Sequence, residues 1–140
     1  MKIRFKKLHH LAQIPRQATS GSAGFDLTAV TCKYGDNGKV FYDTGIAVEI
    51  PAGYVGLVFQ RSSVHKTGLT LSCCVGVIDS DFRSSISMIF NVGYGGCSPY
   101  QVGDRIGQLV IVQNPQIEFV ESDELSDTKR GFGGYGSTGR

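Results

Sequence analysis

Apolar residues in this chain fall in short alternating runs. At its start Ile3 and Phe5 alternate with Lys2, Arg4 and Lys6, and a period of two residues marks an extended strand. Similar runs, rich in β-branched and aromatic types, cover Phe25–Val30, Lys39–Tyr42, Ile46–Ile50, Gly53–Phe59, Leu69–Leu71, Ser85–Asn91 and Gln108–Val112. With Lys2–Lys7 they give the expected strands. Turn residues separate them at Gly35-Asp36-Asn37-Gly38, Pro51-Ala52-Gly53 and Gly93-Tyr94-Gly95-Gly96. No stretch sustains apolar spacing at three and four residues, and the best helical candidate is a short turn at Ser62–Thr67. The pattern predicts an all-β fold, a barrel or jelly roll.

Composition narrows the class further. At 140 residues the chain fits one domain, able to bury roughly two thirds of its unfolded surface. With 41% hydrophobic and 19% charged residues, and no apolar run near the roughly 20 residues of a membrane span, a soluble protein with no membrane partner is expected. The basic start MKIRFKKLHH is followed by no apolar signal core, so the expected location is cytoplasmic. A net charge of +2 implies no nucleic-acid partner. Lys2, Arg4, Lys6 and Lys7 read as the solvated face of an edge strand. Cys32, Cys73, Cys74 and Cys97 lack zinc-type spacing, and the adjacent pair is poorly placed to bridge itself, so free, mostly buried thiols are expected.

Three segments carry candidate chemistry, and each also has a plainer reading. In Gly76-Val77-Ile78-Asp79-Ser80-Asp81-Phe82 two acids on an extended segment share a face, with Val77 and Phe82 near to exclude water. A carboxylate so placed can orient and deprotonate water; the alternative is a polar turn between strands. Gln60-Arg61-Ser62-Ser63 sets a guanidinium beside two hydroxyls where a strand ends, either to bind phosphate or as a capped turn with a surface arginine. From Glu121 the chain becomes acidic and then glycine-rich, Arg130-Gly131-Phe132-Gly133-Gly134-Tyr135-Gly136-Ser137-Thr138-Gly139-Arg140. Such a tail is either a disordered end or an arm that orders on something else. It is neither a Walker A loop nor a Rossmann fingerprint.

Together with two more segments, these resemble the five ordered motifs of the trimeric dUTPase family. Ala23-Gly24-Phe25-Asp26-Leu27 is similar to the first, Arg61-Ser62-Ser63 to the second, and Gly76 to Arg83 to the third. Gly103-Asp104-Arg105-Ile106-Gly107-Gln108-Leu109 is similar to the fourth and Arg130 to Gly139 to the fifth. The resemblance implies a jelly-roll-like β-barrel subunit over residues 1–128, with a glycine-rich arm over 129–140 that closes a neighbour's site in a homotrimer. It also implies hydrolysis of dUTP to dUMP and pyrophosphate with Mg²⁺, which limits uracil incorporation into DNA and supplies dUMP for dTMP synthesis. A hairpin at about Cys73 to Asp79, with Cys73, Gly76, Val77 and Ile78, reads uracil largely through main-chain groups. Asp79 positions and activates the attacking water, and Phe82 packs on the deoxyribose and excludes a 2′-hydroxyl. Arg61, Ser62 and Ser63 of a neighbour meet the phosphates with help from Gln108, while Asp26 acts on Mg²⁺ indirectly, through water. In the arm, Arg130 sits near the γ-phosphate, Tyr135 stacks over uracil, and Gly136 and Ser137 complete the binding set.

Some positions depart from the family pattern. Phe82 stands where Tyr is usual, Tyr135 where Phe is usual, Gln60 for a Pro and Cys73 for an Asn; Ser84 replaces a Gly, and the stretch to Asn91 is one residue short. The related dCTP deaminases carry a glutamate on the strand after the third motif, whereas Ser85–Asn91 contains no acid, which disfavours deamination. A binding protein that keeps the nucleotide site as a switch is a further rival, but damage at Asp79, Arg61 or Arg130 would be expected there, and all three are intact.

Overall fold

The computed structural model describes residues 1–93, 98–134, 136 and 137. Strands β1 (Arg4–Lys7), β2 (Phe25–Thr28), β3 (Thr31–Gly35), β4 (Lys39–Asp43), β5 (Ile46–Glu49) and β6 (Tyr54–Gln60) come first. A 3₁₀ turn over Ser62–Lys66 follows, and then β7 (Leu69–Leu71), β8 (Gly76–Ile78), β9 (Ser87–Val92) and β10 (Arg105–Gln113). All pairings are antiparallel. They form one four-stranded sheet in the order β2-β10-β6-β8, a second in the order β3-β4-β9-β7, and a ribbon β1-β5. The all-β, jelly-roll-like expectation is met, and the short turn at Ser62–Thr67 is the 3₁₀ element.

Alternation decides which side chains enter the core. Val40 and Tyr42 on β4, and Met88 and Phe90 on β9, point inward, while their sequence neighbours face out. They meet Leu27, Val58, Ile106 and Leu109 of the other sheet, with Ile46 and Val48 of β5, in one buried cluster. Tyr42, Phe90 and Tyr100 pack edge to face, their ring centroids 5.8 to 6.1 Å apart. At Gly107 the sheets approach so closely that a Cβ would lie 2.3 Å from Met88 Sδ. A side chain there would force the buried Met88 thioether to shift and would crowd the Phe59 carbonyl oxygen at 3.0 Å. Strand β1 is exposed along its length and pairs only with β5, which leaves its other edge open.

Two strands escaped the sequence reading. β3 is mostly exposed, so it lacks a buried period, and it forms by pairing with β4 across a turn in which Asn37 and Gly38 hold positive φ. An Asn-Gly turn of this kind matches the twist of a hairpin. β8 has only three residues, paired with Gly56–Val58. The thiols correct another expectation: Cys73 and Cys74 are free but exposed, and Cys32 is half-buried. The first two lie in the turn after β7 rather than in a strand. Cys97, and the 94–96 part of the Gly93 turn, fall outside the described residues. Among the described residues no helix is long and apolar enough to cross a membrane.

Candidate functional site

Strand register builds the first part of the site. Gln108 on β10 lies opposite Asp26 on β2 and opposite Phe59 on β6, and Gly107 lies opposite Gln60. The chain leaves β6 at Arg61, whose side chain turns back over the sheet. Its Nε donates to Asp26 Oδ1 at 3.2 Å, and its Nη1 reaches Ser63 Oγ at 3.4 Å. Gln108 Nε2 donates to the same Asp26 oxygen at 3.4 Å. Asp26 is 9% exposed, and a buried carboxylate is tolerated only when it is paired and hydrogen-bonded. Asp26, Arg61, Ser63 and Gln108 are thus brought together, while Ser62 is exposed on the 3₁₀ turn.

Arg105 completes this cluster, with Nη1 donating to Asp26 Oδ2 at 2.9 Å. Strict alternation puts Arg105 and Gln108, three residues apart, on opposite faces. The register shift between Arg105 and Gly107 undoes that parity and lets both reach Asp26. A bulge leaves no mark on hydrophobic pattern, so no role for Arg105 follows from the sequence alone. On its outer side Arg105 borders a cleft of about 430 Å³ that Lys7, Arg16 and Gln17 also line. Near Ser63 and Arg61, the buried Tyr100 hydroxyl has no hydrogen-bond partner of normal geometry among the described residues. Burial raises its pKa against the opposing pull of Ser63 and Arg61.

The second part lies between the sheets. β7 belongs to one sheet and β8 to the other, so residues 72–75 cross from sheet to sheet. Cys73, Gly76 and Ile78 line a cavity of about 210 Å³ with Val58, Leu71, Ser87 and Met88. Its walls are largely apolar, with Ser72, Cys73 and Ser87 as the polar side chains among them. Val77 alternates outward and is exposed. Ser72 anchors the crossing, with N donating to Ile89 O at 2.9 Å and Oγ to Asn91 Oδ1 at 3.0 Å.

Asp79 and Phe82 follow β8 and are both exposed. The segment is a turn closed by Phe82 N on Asp79 O at 3.2 Å, and this corrects the expectation of an extended run with Asp79 and Asp81 on one face. The cavity that Cys73 lines does not include Asp26, Arg61 or Gln108. One chain therefore presents a small inter-sheet pocket, an exposed Asp79 in the turn beyond β8, and a separate guanidinium cluster. Arg130 is also apart from both: its Nε donates to Gly133 O at 2.9 Å, and Gly136 and Ser137 are exposed. Tyr135 lies outside the described residues.

Metal chemistry is constrained by the donors present. Among the described residues no group of three or more His, Cys, Asp or Glu side chains could hold an ion. Both oxygens of Asp26 are occupied by Arg61, Gln108 and Arg105. Such a carboxylate is suited to a hydrated cation carried in by a ligand, not to an all-protein cage.

A two-sheet, antiparallel jelly-roll protein with a carboxylate-centred arginine and glutamine cluster and a small inter-sheet pocket is the class that fold and site define. The family model described as dUTPase matches residues 10–139. Curated proteins named deoxyuridine 5'-triphosphate nucleotidohydrolase, from Wolinella succinogenes and Nautilia profundicola, are each 40% identical over all of this chain and over 95% and 100% of their own lengths. The solved dUTPase of Staphylococcus bacteriophage 80alpha with dUPNHPP superposes with a TM-score of 0.84 at 27% identity, over 99% of each chain. A dUTPase of phage phi11 of S. aureus, described as coordinating a structural Mg(II) ion, has a TM-score of 0.76 at 25% identity, over 89% of this chain and 98% of its own. The chain belongs to the dUTPase family.

Proposed function

We propose that the protein hydrolyses dUTP to dUMP and pyrophosphate, in sites assembled from three copies of the chain. The observation that carries this reading is the set Arg61, Asp26, Gln108 and Ser63, brought together by β2, β10 and the turn that follows β6 in a dUTPase-family fold. Arg61 spends its Nε on Asp26, which fixes the guanidinium and leaves its outer face to grip a phosphate. Gln108 and the hydroxyls of Ser62 and Ser63 add neutral donors. The inter-sheet pocket takes uracil, and its narrow walls, with main-chain groups of Gly76 to Ile78, read the ring edge. Phe82 lies against the sugar and bars a 2′-hydroxyl.

Asp79 orients a water for in-line attack on the α-phosphorus and accepts its proton, with pyrophosphate leaving. Mg²⁺ bound with the triphosphate would supply charge neutralisation, and Asp26 would hold it indirectly, through water. Positioning and fixed positive charge then account for most of the acceleration.

Assembly is supported by surfaces that one copy leaves bare. After Asn114 the chain forms no strand up to residue 128, and Ile117, Phe119 and Leu125 are 66%, 95% and 89% exposed. Ile3, Phe5, Phe25 and Ile111 line an open apolar cavity of about 270 Å³. Exposed apolar surface on this scale calls for a partner. In the trimer the pocket and Asp79 of one subunit face the Arg61 cluster of a second. The arm, residues 129–140, comes from the third, with Arg130, Tyr135, Gly136 and Ser137 closing over the nucleotide.

The test is product analysis with purified protein, Mg²⁺ and either dUTP or dCTP. Pyrophosphate and dUMP from dUTP are expected. Ammonia from dCTP, or dUTP binding without turnover, would overturn the reading.

A further inference from the structure

Gln60 ends β6 and immediately precedes the phosphate-side Arg61. Its Oε1 accepts the Leu71 N–H at 3.0 Å. β6 lies in one four-stranded sheet and β7, which Leu71 ends, in the other, so this bond clasps the two sheets together beside the inter-sheet pocket.

The need for it follows from strand geometry. β7 is the edge of its sheet and pairs only with β9. Ser72 donates its N–H inward to Ile89 O, so the alternation of an antiparallel ladder turns the Leu71 N–H outward, away from β9. Leu71 is only 3% exposed, and a buried outward N–H demands an acceptor. Leu69, two residues earlier and facing the same way, is served by Thr67 Oγ1 at 3.1 Å. At Leu71, Gln60 provides the acceptor. Leu71, Ser72 and Cys73 are successive wall residues of the pocket, and Cys74 beyond them holds a positive φ of 60°. The turn starts from two anchored residues, Ser72 held by β9 and Leu71 held by Gln60, and its Cys74 N–H bonds back to Leu71 O at 3.2 Å.

The geometry points to Gln60 as a positioning residue for base recognition. It touches no substrate; it holds the Leu71 end of the crossing segment, and so the width of the uracil pocket, in fixed relation to Arg61. This deepens the dUTP reading and rests on it.

The test compares wild type with Gln60→Met, which keeps length and volume but lacks the amide acceptor. Three quantities are read: the KM and kcat for dUTP, the inhibition constants of dUMP and of pyrophosphate, and hydrogen exchange at the Leu71 amide. KM for dUTP and the inhibition constant of dUMP should each rise about three- to tenfold. The pyrophosphate constant and kcat should stay near wild type, the melting temperature should fall modestly because a buried N–H loses its acceptor, and the Leu71 amide should exchange faster. Unchanged dUMP inhibition would overturn the proposal. So would an equal loss for dUMP and pyrophosphate, because the bond would then only stabilise the fold. Wild-type protein that binds dUMP without hydrolysing dUTP would count against the function alone, since dUMP binding still reads the pocket.

Discussion

Asp26 is the residue on which the phosphate side turns, because one buried carboxylate orders two guanidiniums and an amide. Asp26→Ala should destabilise the fold by about 3 kcal/mol, the scale for breaking a buried ion pair, as measured by denaturant unfolding. Asp79 is exposed and makes no such pair, so Asp79→Asn should leave stability and nucleotide binding largely intact while turnover falls by about 10² to 10⁴. Asp81→Asn should lose less. A larger loss at Asp81 would assign the base to the wrong carboxylate. Phe82→Ala should narrow the preference for dUTP over UTP, and unchanged discrimination would put the ribose barrier elsewhere.

Asp43 offers a pH test. Burial raises its pKa, but hydrogen bonds from Ser85, Ser87 and the Gly45 amide outweigh that and hold it below the usual carboxylate value. A depressed folded-state pKa confers stability that is complete above the unfolded value of about 3.9 and is lost as pH falls through the folded value. Asp43→Asn should therefore melt lower than wild type at pH 7, with the gap closing in acid below that value; a constant gap would rule out the ionised form as the source. Asp26, Arg61 and Gln108 were legible in the sequence because they stand within motifs. Arg105 and Gln60 stand in the same segments but had no role there: a bulge turns the first toward Asp26, and the second serves a backbone N–H that only cross-sheet geometry exposes.

Strands with one buried face, such as β4 and β9, announced themselves by alternation. β3 is mostly solvated and β8 is short, so for both the pairing partner, rather than the pattern, decides the conformation. The crossing segment between β7 and β8 follows the same rule, and its cysteines are exposed as a consequence. In the tail, composition was legible but destination was not. Its hydrogen bonds, Gly131 N to Thr128 O and Gly133 N to Arg130 O, are local, and residues 113–132 are exposed. Ending the chain at Thr128 should thus leave melting temperature nearly unchanged and abolish most activity, since closure over the nucleotide is lost. If both fall together, the arm is structural. Tyr135→Ala should cost the roughly 1 to 3 kcal/mol of aromatic-base stacking, with Tyr135→Phe almost silent, as read from kcat/KM.

At the scale of the molecule, the fold keeps the inter-sheet pocket apart from the Arg61 cluster, and among the described residues it leaves the chain beyond β10 in no strand. Shared sites account for both features. Native mass in solution should be three times the 15.1 kDa chain, and full activity in a monomer would contradict this. The most direct measurement is complementation. Asp79→Asn and Arg61→Ala, each inactive alone, are dissociated, mixed in equal amounts, reassembled and assayed for dUTP turnover. If a site takes Asp79 from one subunit and Arg61 from another, random assortment restores both residues in roughly a quarter of sites, and activity should recover to about that fraction of wild type. Mixed trimers that form but remain as inactive as their parents would place Asp79 and Arg61 of each site on one chain and contradict the shared-site account.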